Sequence, residues 1–447
     1  MMNLKEIKTI YMLGIGGIGM SALARFFHRQ GVSVSGYDKT PSTLTDALIQ
    51  EGIPVHFEED IREIPTEALY IYTPAIPSEH RAFEYVRQQG GTWFKRSEVL
   101  EEVTRKTNTI AVAGTHGKTT TTAITAHLLH SVMGNCSAFV GGVMTGYASN
   151  LIAADDPTHI VVEADEYDRS FLRLHPNIAV ITSLDPDHLD IYGSFEEMKK
   201  DYRAFAARAE LLIVNEKVAS EFAHSNKVVY GMREGVNHRF FNVRVENGAF
   251  VFSFDQQQNL HLALPGAHNV ENASAALSVT AALRLDENKV AEALSSFEGV
   301  KRRFERVYSS DHKVVIDDYA HHPEEIKAAI DAARQLYPTK KIAVVFQPHL
   351  FSRTRDLEDD FASSLSRADE VILMPIYPAR ERPIDGVSSA HLLKKVTLKT
   401  KQLVEKRDLV LAVLSLSAEV VLILGAGDID RFVDPIAEAF EQEHHVD

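Results

Sequence analysis

A single cysteine, Cys136, stands in 447 residues, so the chain has no means of forming an internal disulfide or a cysteine-based zinc site. Long apolar runs are missing too: none approaches the roughly 18 residues that a membrane helix needs. The opening Met1-Met2-Asn3-Leu4-Lys5-Glu6 lacks the apolar core of a signal peptide, and the expectation is a cytoplasmic protein without membrane insertion. Basic residues are in deficit, with 47 Lys and Arg against 62 Asp and Glu and a formal net charge of −15. That average field repels phosphate polymers and anionic lipid, which argues against a general nucleic-acid or membrane binder. Any nucleotide must then find locally basic pockets. There is no sequence repeat, coiled coil or low-complexity tract. What remains is an ordinary globular composition, 45% hydrophobic and 24% charged, long enough for about two to four domains.

Within it, Gly114-Thr115-His116-Gly117-Lys118-Thr119-Thr120 lies between a strand-like run over 109–113 and a helix-like run over 123–130. A glycine-rich turn points several backbone N–H groups into one hollow, the following helix adds its positive end, and a lysine supplies a mobile cation for outer phosphates. The hydroxyl after that lysine suits Mg²⁺. The loop is a variant P-loop, because the place of the first glycine of G-x-x-x-x-G-K-[ST] is taken by Val112.

The amino-terminal stretch offers a second phosphate cradle. A strand-like run over 7–13 leads into Gly14-Ile15-Gly16-Gly17-Ile18-Gly19 and then a helical run over 20–30, and a second strand ends at Asp38. This spacing is that of a dinucleotide-binding turn with an acid for a ribose hydroxyl. The same loop serves any pyrophosphate attached to a sugar, so NAD and a UDP-sugar both fit it. Thr73-Pro74-Ala75-Ile76-Pro77 follows a further strand, at the edge where such sheets bind ligands.

Strands alternate with helices through the rest of the chain, the rhythm of parallel α/β sheets. Over 227–264 the pattern changes to hairpin-like alternation with Asn247-Gly248 as a turn, which predicts an antiparallel extension. The polar stretch 299–303 reads as a hinge. Two acidic clusters follow strands of the P-loop segment, Glu163-Ala164-Asp165-Glu166-Tyr167-Asp168 and Asp185-Pro186-Asp187-His188-Leu189-Asp190. In a parallel sheet those strand ends share the P-loop's edge, so Glu163 and His188 are candidates to face bound phosphates and their Mg²⁺. Asp318-Tyr319-Ala320-His321-His322-Pro323 also follows a strand and opens a helix.

Taken with Gly266-Ala267-His268-Asn269-Val270-Glu271-Asn272-Ala273, Arg302-Arg303-Phe304-Glu305 and Tyr377-Pro378-Ala379-Arg380-Glu381, these motifs in this order make the chain resemble the Mur ligase family over essentially its whole length. These are the ATP-dependent amide-forming enzymes of peptidoglycan precursor synthesis. That family's P-loop also lacks the first glycine. The resemblance implies a three-domain α/β architecture: a Rossmann-like UDP-binding domain over 1–105, a central P-loop ATPase domain with a parallel sheet and a small antiparallel extension over 106–299, and a Rossmann-like domain that binds the amino acid over 300–447.

The resemblance also implies roles. Lys118, Glu163, His188 and Arg303 are the catalytic set, with Lys118 on the β and γ phosphates. Thr119 and Glu163 hold one Mg²⁺, and His188 holds a second. Gly114, Thr115, His116, Gly117, Thr120, Asn269, Asn272, Arg303 and Asp318 complete the ATP site, Asp318 as the ribose-binding acid. Asn269 has an alternative as a helix cap. Gly14, Gly16, Gly17, Gly19, Asp38, Thr73 and Ala75 form the UDP-sugar site. Tyr319, His322 and Arg380 are candidates for the amino acid, because an arginine grips an α-carboxylate bidentately. The implied substrates are UDP-N-acetylmuramate, L-alanine and ATP. A recycled murein tripeptide in place of alanine is the nearest alternative, and an NAD-dependent oxidoreductase a remote one. Some family members carry a carbamylated lysine on the helix after the D-x-D-H motif; here the equivalent place falls near Arg203.

Overall fold

The computed structural model describes residues 4–187, 189–246, 248–379 and 381–444. The chain separates into two compact units, one of Met1–Asn242, Phe252–His261 and Glu271–Glu298, the other of Val243–Val251, Leu262–Val270 and Gly299–Asp447. The architecture is α/β, with sheets of five, ten and six strands.

The five-stranded sheet is built from β1 (Thr9–Leu13), β2 (Ser33–Tyr37), β3 (Val55–His56), β4 (Leu69–Tyr72) and β5 (Trp93–Lys95), in the order β3-β2-β1-β4-β5. All its pairings are parallel. Helices α1 (Ile18–Arg29), α2 (Thr43–Gln50) and α3 (Arg81–Gln88) lie between its strands, and α4 (Arg96–Thr104) follows β5. Strand order reverses between β1 and β4, and the crevice outside their carboxyl ends is where such sheets take ligands. The glycine loop and Thr73 both leave the sheet at that point.

The ten-stranded sheet begins with β6 (Asn108–Ala113), which feeds the P-loop and α5 (Lys118–Met133). β7 (Cys136–Met144), β8 (Ser149–Ile152), β9 (His159–Glu163) and β10 (Ile178–Ile181) follow, then α6 (Leu189–Tyr192), α7 (Phe195–Ala206) and β11 (Leu211–Asn215). The remaining strands are β12 (Lys227–Gly231), β13 (His238–Glu246), β14 (Ala249–Phe254) and β15 (Gln257–Leu262), followed by α8 (Ala267–Ala282) and α9 (Glu287–Ser295). Their order is β15-β14-β13-β12-β11-β10-β6-β9-β7-β8. The change to hairpin pattern comes later than the sequence pattern implies, because β12 is still parallel to both β11 and β13. The expected turn residue Asn247 lies outside the described residues.

The third sheet, β16 (Glu305–Ser309), β17 (Val314–Asp318), β18 (Ile342–Phe346), β19 (Glu370–Leu373), β20 (Thr400–Leu403) and β21 (Val420–Leu424), has the order β16-β17-β21-β18-β19-β20. Only the β16–β17 pairing is antiparallel. Helix α10 (Pro323–Leu336) follows β17 with proline in its first turn and a capping box between His322 and Glu325.

β6 is buried from Thr109 to Ala113 and apolar from Ile110 onward, as expected of a strand covered on both faces. After β9, the acid cluster enters a short helical stretch, Tyr167–Arg173, that contains Asp168 and Arg169 at positive φ. What holds this unfavourable backbone is Phe171, buried with its ring 5.1 Å from those of both Tyr202 and Phe205 of α7. Truncation to Phe171→Ala is expected to lower the unfolding free energy by about 3–5 kcal/mol in a denaturant titration. A loss below about 1 kcal/mol would mean that the stretch is held by other contacts.

Candidate functional site

Three parallel strands converge on the P-loop. β6 lies between β9 and β10, with Val112 opposite Glu163 and Ala113 opposite Ile181. Their carboxyl ends therefore share one edge. Gly117, at φ 79°, is the N-cap of α5, and an added Cβ would strike the Asn272 side chain. Gly114 has φ 144°, and an added Cβ would strike Thr182. Both positions require glycine. The loop is clamped by the end of β10: Thr182 Oγ1 donates to the His116 carbonyl at 2.5 Å, and the His116 N–H donates to Ser183 Oγ at 2.7 Å. Thr115 Oγ1 bonds Ser183 Oγ at 2.9 Å and accepts from the Asp185 N–H at 3.1 Å. Thr182-Ser183 belongs to no sequence motif. Two hydroxyls immediately after an apolar strand that neighbours a P-loop are the signal that would have found them.

Lys118, Thr119 and Glu163 come together at this edge. Thr119 Oγ1 donates to Glu163 Oε1 at 3.0 Å, and the other carboxylate oxygen accepts from the Gly141 N–H of β7 at 2.9 Å. This oxygen-rich pair suits Mg²⁺, which takes one or two protein oxygens and completes its shell with water and phosphate. Lys118 Nζ donates to Glu166 Oε1 at 2.9 Å and to the Gly114 carbonyl at 2.6 Å. Burial pulls the lysine's pKa down, but the carboxylates of Glu166, Asp165 and Glu163 outweigh it and hold the ammonium charged. Glu166, itself buried, is thus a site residue, although its place in the acid cluster alone gives it no role. Thr120 is buried in the first turn of α5, and Asn272 is buried in α8. His188 lies outside the described residues.

At the carboxyl edge of the five-stranded sheet, the Tyr37 carbonyl accepts from the N–H groups of Gly14 and Ile15 at 2.8 and 3.0 Å. Gly14 has φ 86° and no room for a Cβ beside Thr73. Gly17 is the N-cap of α1. A Cβ on Gly19 would lie 2.8 Å from Arg96 Nη1, so a guanidinium that the sequence reading missed stands over the helix's first turn. Asp38 accepts from the Gly16 N–H at 2.8 Å and from the Thr40 N–H at 3.2 Å. Its carboxylate braces the loop. Thr73 is half-buried and Ala75 exposed.

In the second unit, Asp318 accepts from the N–H groups of Phe304 at 2.7 Å and Ala320 at 2.8 Å. These bonds pin a turn in which Arg302 and Phe304 both have positive φ. Arg302 and Arg303 lie over the Tyr319 ring, 5.1 and 5.2 Å from its centroid. His322 is buried at the start of α10. Beside this segment, the rings of His321 and His349 lie 6.2 Å apart and those of His349 and Tyr377 stack at 5.7 Å. His349 lies in the loop after β18, which carries no sequence motif, whereas Tyr377 opens the motif Tyr377-Pro378-Ala379 after β19. Asn269 lies inside the first turn of α8 and donates to the Pro265 carbonyl at 2.6 Å; it is not the helix's N-cap. Arg380 lies outside the described residues.

Burial raises Asp318 from 3.8 to about 6, although Arg303 opposes the shift. It raises Asp317 from 3.8 to about 7, with Arg302 opposing and Asp318 adding to the shift. Between those values the folded chain keeps protons that the unfolded chain has released, so both groups withdraw stability as pH rises from about 4 to about 7. Asp317→Asn is expected to flatten the fall in melting temperature across that window. Coincident profiles for variant and wild type would refute the assignment. At the P-loop edge, Gly141→Ala would drive a methyl into the Glu163 carboxylate. Weakening of Mn²⁺ or Mg²⁺ binding by about tenfold or more in a folded protein is the expected result of isothermal titration, and unchanged affinity would remove Glu163 from the metal site.

Comparison with known proteins gives the same assignment. Residues 9–107 match the family model described as Mur ligase family, catalytic domain; 112–280 match Mur ligase middle domain; and 302–427 match Mur ligase, glutamate ligase domain. The chain is 45% identical to UDP-N-acetylmuramate--L-alanine ligase of Flavobacterium johnsoniae, covering 99% of this chain and 100% of the relative. It is 46% identical to the ligase of the same name from Christiangramia forsetii, with 99% and 100% covered. Among solved structures, a UDP-N-acetylmuramate-alanine ligase from Thermotoga maritima superposes with a TM-score of 0.83 at 29% identity, covering 97% of this chain and 99% of that one. A murein peptide ligase from Psychrobacter arcticus shares the fold at 21% identity, with a TM-score of 0.69 and 97% and 98% covered. From its three matched domains and its near full-length likeness to these relatives, the chain belongs to the Mur ligase family.

Proposed function

We infer that this protein is an ATP-dependent ligase that joins L-alanine to the lactyl carboxylate of UDP-N-acetylmuramate, releasing ADP and phosphate, in peptidoglycan precursor synthesis. The observation that carries the reading is the shared edge of β6, β9 and β10, where Lys118, Thr119 and Glu163 meet over a P-loop. Relatives at 45–46% identity that bear this enzyme's name supply the substrate assignment. The likeness to a murein peptide ligase is at the level of fold, so alanine stands ahead of the tripeptide. We assign the reaction to the cytoplasm, where its nucleotide substrates are, and retain the three-domain division at residues 105 and 299.

A carboxylate resists attack by an amine, because its charge repels the nucleophile and oxide does not leave. Phosphorylation solves both problems. In the proposed reaction the lactyl carboxylate attacks the γ-phosphorus of ATP, giving an acyl phosphate and ADP; the alanine amine, once deprotonated, displaces phosphate from the acyl carbon. Lys118 leaves Glu166 for the outer phosphate oxygens and offsets the charge that spreads over them. Thr119 and Glu163 hold one Mg²⁺, and His188 belongs to a second site; bound there, magnesium would polarise the phosphoryl oxygens. The glycine loop and Arg96 receive the sugar nucleotide's diphosphate at the start of α1. Asn269, Asn272, Arg303 and Asp318 belong to the nucleotide site. Tyr319, His322 and Arg380 belong to the alanine site. Asp38 acts through the loop it braces.

ADP release measured with Mg²⁺-ATP and UDP-N-acetylmuramate should depend on added L-alanine more strongly than on glycine, L-serine or the tripeptide. Lys118→Ala should lower kcat by about 100-fold or more in a protein that still folds. Turnover with the tripeptide alone would assign the recycling reaction instead, and turnover unaffected by Lys118→Ala would remove the lysine from phosphoryl transfer.

A further inference from the structure

Asn150 is fully buried in β8, in a strand position that an aliphatic side chain ordinarily fills. Its carboxamide is spent entirely on helix α1, the helix that opens with the amino-terminal glycine loop. Nδ2 donates to the Ile18 carbonyl at 2.5 Å and to Ser21 Oγ at 3.0 Å, while Oδ1 accepts from Arg25 Nη1 at 2.5 Å. Ile18, Ser21 and Arg25 recur at three- and four-residue spacing and so share one face of α1. Ser21 Oγ also donates to the Ile18 carbonyl at 3.0 Å. Arg25 is 4% exposed, and its Nε donates to both oxygens of Glu51 at 2.9 and 2.8 Å. A buried carboxamide costs free energy unless both ends are satisfied, and here the satisfaction comes wholly from α1.

β8 has a second connection. It pairs antiparallel with β7, which donates the Gly141 N–H to Glu163. One two-stranded unit therefore grips the first turn of α1 at Asn150 and the candidate metal carboxylate at Gly141. Phe139 of β7 packs on Phe26 of α1, with ring centroids 5.2 Å apart, and stiffens the same junction.

We propose that Asn150 is a positioning residue that sets the sugar-nucleotide loop from the β7–β8 unit and couples UDP-sugar binding to metal-nucleotide binding. This rests on the assignment of the glycine loop to UDP-N-acetylmuramate. A side chain that only filled the core would affect stability without distinguishing between substrates. A positioning side chain raises KM for the UDP-sugar, leaves KM for L-alanine unchanged, and removes the mutual enhancement of the two nucleotides.

The test is titration calorimetry of the full chain with UDP-N-acetylmuramate, with and without Mg²⁺ and a non-hydrolysable ATP analogue. In the wild type, the analogue is expected to tighten sugar-nucleotide binding by about fivefold or more, the lower range of measured coupling. Asn150→Ala should weaken UDP-N-acetylmuramate by about tenfold and bring the enhancement to about onefold, while the analogue alone binds within about twofold of wild type. Ser21→Ala, which keeps the Asn150 bond to the Ile18 carbonyl, should weaken it by about threefold, and its effect should not add to that of Asn150→Ala. Should Asn150→Ala fail to fold, the Ser21→Ala affinity and enhancement decide. Wild-type affinity and enhancement in either folded variant overturn the proposal. A wild-type chain that binds no UDP-N-acetylmuramate overturns the functional reading itself.

Discussion

The carboxylate of Glu163 is the interaction on which the rest of the site depends. It ends β9, directly beside the strand that feeds the P-loop, and it joins Thr119 of α5 to Gly141 of β7. A carboxylate in such a position is useful only if the neighbouring strands stay in register. One residue of slip would turn it to the opposite face of the sheet. The buried apolar centres of these strands, Ile110–Ala113 of β6, Ile160–Val162 of β9 and Ile178–Ile181 of β10, enforce that register. Stability and chemistry meet in the same pairings.

Glycine has a separate job at each turn. Gly117 reverses the chain into α5 with positive φ, Gly114 passes close to Thr182, and Gly141 brings its backbone up to Glu163. The strained Asp168–Arg169 pair is a different solution, in which packing of Phe171 on α7 holds non-glycine residues in the left-handed region. That stretch also carries Asp168 to within 3.6 Å of Lys95, so the acid loop contacts the segment that holds the sugar-nucleotide cradle.

Features written in consecutive residues were legible in the sequence. Strand, glycine-lysine-threonine and helix in order announced the phosphate loop, and β6 lies over the strand-like run at 109–113. Features made by distant pairing were not. Thr182 and Ser183 became partners of His116 only because β10 lies next to β6. β7 escaped notice because Gly141-Gly142 interrupts its apolar pattern, although one of those glycines supplies the N–H that Glu163 accepts. Asp38 was marked by its spacing alone, and the fold adds what spacing does not report, that its carboxylate accepts from the N–H groups of Gly16 and Thr40. The antiparallel ribbon was visible in alternation but began one strand late, since alternation does not report whether a neighbour runs parallel.

The central claim is that this edge activates a carboxylate by phosphorylating it. Oxygen-18 placed in the lactyl carboxylate of UDP-N-acetylmuramate tests it directly, with phosphorus NMR of the phosphate released during alanine-dependent turnover. Passage through an acyl phosphate predicts one labelled oxygen in each phosphate, seen as an upfield-shifted resonance. Release of unlabelled phosphate would contradict the account.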